Sequence, residues 1–76
     1  MEKNELIMAA AYSRIRSMCA NAADIISDLE NIEYDLMMYS NDKESLETVR
    51  NILAAIRTAE SELVSAKHNI EFLTEL

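Results

Sequence analysis

Apolar residues recur through residues 4–40 at alternating steps of three and four. With Met8 at heptad position a, the a row is Met8, Ile15, Ala22, Leu29 and Leu36. The d row is Ala11, Met18, Ile25, Ile32 and Tyr39, so neither row contains a charged residue. This spacing returns side chains to one side of a helix and predicts an amphipathic α-helix near residues 3–40. Asn4 has N-cap chemistry, and Glu2 and Glu5 suit the positive end of the helix dipole. The polar cluster Ser40-Asn41-Asp42-Lys43-Glu44-Ser45 then interrupts the pattern. Asn41 or Asp42 can cap a second helix, and Asn41 with Glu44 has capping-box spacing. A second heptad fills residues 46–75, with Val49, Ile56, Leu63 and Ile70 at a and Ile52, Ala59, Ala66 and Leu73 at d. The expected elements are therefore helix 1 (about 3–40), a turn (about 41–43) and helix 2 (about 43–75).

A turn this short joins antiparallel neighbours. Folding the chain there pairs Leu36 with Val49, Leu29 with Ile56, Ala22 with Leu63 and Ile15 with Ile70. The d rows pair Ile32 with Ile52, Ile25 with Ala59, Met18 with Ala66 and Ala11 with Leu73. Facing residue numbers add to 84 or 85 from end to end. In four layers a large side chain meets an alanine, which fills space without voids. The fold class is thus all-α: one domain, residues 1–76, a long coiled-coil-like antiparallel hairpin with an a/d seam. Its helices are roughly 55 Å and 45–50 Å long at the α-helical rise.

Composition supports continuous helix. The 76 residues include no glycine and no proline, where average usage supplies about five and four. Tight turns with positive φ and phosphate-cradling loops need glycine, so both are disfavoured. Only three tyrosines and one phenylalanine are present, leaving an aliphatic core. Chains below about 70–80 residues rarely build a self-sufficient core, which points to association.

The e positions locate where association is expected. On helix 1 they include Tyr12, Cys19 and Ile26, and on helix 2 Leu46 and Leu53. With an a/d seam, these five form a second apolar stripe along one flank. The bland alternative is a widened a/d/e core face, normal for globular helices. An uncovered stripe on a lone hairpin favours association, with a homodimeric four-helix bundle as the expected form. Two copies of this chain, or one copy and a different chain, could supply the four helices. A second candidate surface lies near the turn, where Tyr34 and Met38 form an i, i+4 pair beside Met37.

Charge narrows the partners. Fourteen acids against seven bases give a net charge of −7, so direct nucleic-acid binding is disfavoured. Asp24, Asp28 and Asp35 share one flank, to which helix 2 adds Glu62. Such a row could mimic a nucleic-acid backbone in a basic groove. The longest apolar run, Leu6 to Tyr12, is far too short to span a membrane. Glu2 and Glu5 stand where a signal peptide needs positive charge. The expected location is the cytoplasm of a bacterium, or of an infected host cell if the protein is phage-encoded.

Catalytic and metal chemistry is not expected. His68 is the only histidine, with no partner at metal-ligand spacing. Cys19, the only cysteine, cannot form an intrachain disulfide and reads as a small hydrophobe. The remaining carboxylates, Glu75 among them, read as a solvated face. A calcium loop lacks its turn glycine. Arg50 and Arg57 are expected to pair locally with Glu47 and Glu60. No catalytic residue, cofactor or metal ligand is assigned. The expected function is a small acidic protein–protein interaction module, a regulator, adaptor or inhibitor of a larger partner. In size, shape and charge the chain resembles small helical-hairpin secretion co-chaperones and compact phage-encoded inhibitors of bacterial defence systems. That resemblance lies in architecture and charge, and no motif carries it.

Overall fold

A computed structural model describes residues 2–74. It contains two helices, α1 (Lys3–Tyr39) and α2 (Lys43–Thr74), packed side by side. No strand occurs among the described residues. The hairpin measures 58 × 14 × 14 Å between Cα extremes, the length that 37 helical residues reach at about 1.5 Å each. The expected end of helix 2 near residue 75, and Glu75, lie outside the described residues.

The first helix start differs from expectation, whereas the second uses Asp42, one of its two expected caps. Glu2, with φ −70° and ψ 153°, is the N-cap of α1 and makes no side-chain capping bond. The Leu6 N–H already donates to the Glu2 carbonyl at 3.2 Å, so Asn4 lies inside the first turn and does not cap. At α2 the cap is Asp42. One carboxylate oxygen accepts the Ser45 N–H at 3.0 Å, and the other accepts the Ser45 hydroxyl at 2.7 Å. The Asn41–Glu44 capping box is therefore not the one used. Ser45 is three residues past Asp42, where a free backbone donor needs an acceptor. These bonds, the backbone bond of largest effect also coming from Ser45, hold the Asp42 carboxyl below its ordinary range.

The turn reverses the chain without glycine. The Ser40 N–H donates to the Leu36 carbonyl at 3.2 Å, closing α1, and Ser40 then goes extended at φ −134° and ψ 149°. Its hydroxyl accepts the Asp42 N–H at 3.1 Å. No described residue has positive φ, so the connection avoids the left-handed region that glycine usually fills at helix ends.

The pairing register follows the expected one, but the rotation of the helices does not. Cross-helix polar links join Tyr12 to Glu71, Glu33 to Arg50, and Glu30 to Arg57. The partners' numbers add to between 83 and 87, bracketing the expected register. Burial, however, follows the a and e rows. Leu53, at e, is 1% exposed and Ala22, at a, is 8% exposed; they are the only two fully buried hydrophobic side chains among the described residues. Half-buried residues continue these rows: Ile15, Cys19, Ile26 and Leu29 on α1, and Leu46, Val49, Ile56 and Leu63 on α2. Most of the d row stands outside. Met18, Ile25, Ile32 and Ile52 are 45–50% exposed. The a/d seam expected from the heptads is thus an a/e seam, with each helix turned by about 50° around its axis.

The cause is visible on the e side. Leu53 is packed there at 1% exposure, while its d-row neighbour Ile52 stands 45% exposed. The three polar links lie on that same side. Packing and polar contacts therefore favour the same rotation.

Candidate functional site

The rotation relocates the expected association stripe. Tyr12, Cys19, Ile26 and Leu46 are half-buried, and Leu53 is fully buried. They line the contact between the chain's own helices, so this edge is not an uncovered surface. The e positions are left over only where the d positions fill the seam, and here they do not. The widened a/d/e face describes the apolar side better: a is central, e meets the other helix, and d is left open.

The open face runs nearly the length of the hairpin. In an antiparallel pair, equivalent heptad edges of the two helices fall on the same side. The d rows of α1 and α2 therefore border one flank together. Met18, Ile25, Ile32 and Tyr39 project from α1, and Ile52 and Leu73 from α2, all exposed. Between them α2 contributes the small side chains Ala59 and Ala66. The surface is consequently ridged along α1 and recessed along the middle of α2. Aliphatic side chains in such a continuous array offer contact area without chemistry.

The patch near the turn stands where expected. Tyr34, Met37 and Met38 are each more than half exposed. Tyr34 and Met38 occupy the face of α1 away from α2. Met37 lies nearer the seam, where its sulfur accepts a hydrogen bond from Arg50 Nη2 at 3.4 Å. Beside it, Leu36, Leu46, Arg50 and the turn line an open, shallow cleft.

Charges at the other flank tie the helices together. Arg50 Nε reaches Glu33 at 2.9 Å and Arg57 Nη2 reaches Glu30 at 3.2 Å. The expected local pairs with Glu47 and Glu60 are replaced by these contacts across the seam, because the rotation brings Glu30 and Glu33 beside α2. At the opposite end the Tyr12 hydroxyl donates to Glu71 at 2.9 Å. That hydrogen bond, with some burial, raises the phenol above its ordinary range. His68 Nδ1 lies 3.4 Å from the same carboxylate group. Asp24, Asp28, Asp35 and Glu62 are all exposed.

Among the described residues, no three His, Cys, Asp or Glu side chains are grouped to hold a metal ion. No described helix is long and apolar enough to cross a membrane. Compared with protein-family models, with curated proteins and with solved structures, the chain matches none.

Proposed function

We propose that this chain is a non-enzymatic protein–protein interaction module that regulates, holds or blocks a larger partner. One observation carries the reading. Among the described residues, twelve large hydrophobic side chains are exposed, whereas only Leu53 and Ala22 are buried. A chain that keeps its apolar side chains outside gains by covering them, and burial of apolar area is the main driving force for association. Nine of the twelve fall into two surfaces on different sides of α1, six on the d-row face and three, Tyr34, Met37 and Met38, in the turn-end patch; Leu6, Ile7 and Phe72 lie outside both.

The patch is the proposed contact for the larger partner. Tyrosine supplies a rigid aromatic anchor and methionine an adaptable one. The test uses the tagged full chain to capture proteins from a bacterial lysate. Wild type is expected to retain a specific partner. The double variant Tyr34→Glu/Met38→Glu should lower retention by about tenfold or more, as removal of a hot-spot pair does. Equal retention by the variant, or no specific capture by wild type, overturns the reading.

A further inference from the structure

We infer that the d-row face is covered by a second copy of this chain, in a four-helix bundle whose two turns lie at the same end. The inference rests on the reading of exposed apolar surface as binding surface, and it names the occupant of one such face.

Area is the first argument. A compact monomer of 8.6 kDa exposes roughly 4,700 Å² by the usual mass scaling. This chain exposes 5969 Å². The excess is roughly 1,300 Å² per copy, more than the about 800 Å² per partner of a standard interface.

Shape is the second argument, and it selects the arrangement. A two-fold axis along the hairpin lays α1 of one copy over α2 of the other, level for level and antiparallel. Met18 then meets Ala66 and Ile25 meets Ala59, so the ridge enters the recess. Ala11 meets Leu73 toward the open end, and Ile32 meets Ile52 toward the turn. Large opposes small in three of these four layers, the pattern by which facing positions fill space. An axis across the hairpin stacks α2 on α2. It sets alanine against alanine there and leaves space unfilled, which forfeits contact energy.

Charge is the third argument. Each copy carries −7, so an interface rim that aligned acids would oppose pairing. With the turns together, Asp28 lies opposite Ala55, Asp35 opposite Thr48, and Glu62 opposite Asn21. None of these acids meets another across the rim.

Sedimentation equilibrium of the full chain tests the stoichiometry. A species of twice the chain mass is expected. Ile32→Glu should shift it to the single-chain mass or unfold it, whereas Tyr34→Glu, on the outer face, should leave the dimer intact. The arrangement is read by disulfide trapping in a Cys19→Ser background. A mixture of Ile25→Cys chains with Ala59→Cys chains should cross-link under mild oxidation, more fully than Ile25→Cys chains alone. A helical wild-type monomer at tens of micromolar, any other stoichiometry, an Ile32→Glu dimer, or self-cross-linking of Ile25→Cys chains in preference to the mixture overturns the inference. A monomer that still captures a partner through Tyr34 and Met38 defeats self-pairing alone. A dimer that captures nothing defeats only the proposed regulatory function.

Discussion

Leu53 is the side chain on which the hairpin's interior depends. It is 1% exposed in a helix pair that buries little else. Leu53→Ala is expected to cost about 2–5 kcal/mol, the range for a truncated buried leucine, read as a lower urea midpoint. An effect below 1 kcal/mol, as at a solvated site, would show that the a/e seam is wrong. Asp42 makes a second prediction at this scale. Its carboxyl sits below the ordinary value of 3.8 because Ser45 donates to it twice. The folded state therefore holds the proton less tightly than the unfolded one. Stability from this group is present above 3.8 and is lost as pH falls from there through the depressed value. Asp42→Asn keeps an oxygen acceptor but does not titrate. The wild-type protein should melt higher than Asp42→Asn at pH 7, and the gap should close in acid. A gap unchanged down to pH 2 would remove the carboxylate from the cap.

Each helix owes its extent to local rules. Neither contains a residue that breaks the backbone ladder, and α1 ends where Ser40 turns extended. What joins them is weaker than their length implies. The Arg50–Glu33 and Arg57–Glu30 pairs are solvent-accessible, and exposed pairs contribute about 0–1 kcal/mol each. They select a rotation more than they hold the helices together. Arg50 combines its ion pair with a contact to the Met37 sulfur, joining the seam to the turn-end patch.

At the scale of the molecule, the shape itself is informative. The radius of gyration is 17.2 Å, against roughly 11 Å for a compact chain of this length. A rod two helices thick has no interior apart from its seam. If a second copy covers the d-row face, folding and assembly are linked by mass action. The thermal midpoint should then rise by several degrees between micromolar and hundred-micromolar concentration. A midpoint independent of concentration would instead place all of the stability within one chain. In the proposed arrangement both Tyr34/Met38 patches lie near the same end, leaving a bundle with two partner contacts at its turns.

The sequence alone determined the all-α class, the two helices, the short turn and the pairing register. These follow from periodicity and turn chemistry, which act over a few residues. The turn-end patch was legible for the same reason: Tyr34 and Met38 fall outside every apolar row. Only the tertiary structure decided which rows meet. In a helix the d position lies about 60° to one side of a, and e about 40° to the other. Both rows are apolar in the first half of α1, so the heptad reading had no local reason to prefer e. The choice depended on Leu53 packing and on links from Tyr12, Glu30 and Glu33 to residues 27–59 positions away or, for Glu33 and Arg50, 17 away. That rotation moved the open face from Tyr12, Cys19 and Ile26 to Met18, Ile25 and Ile32.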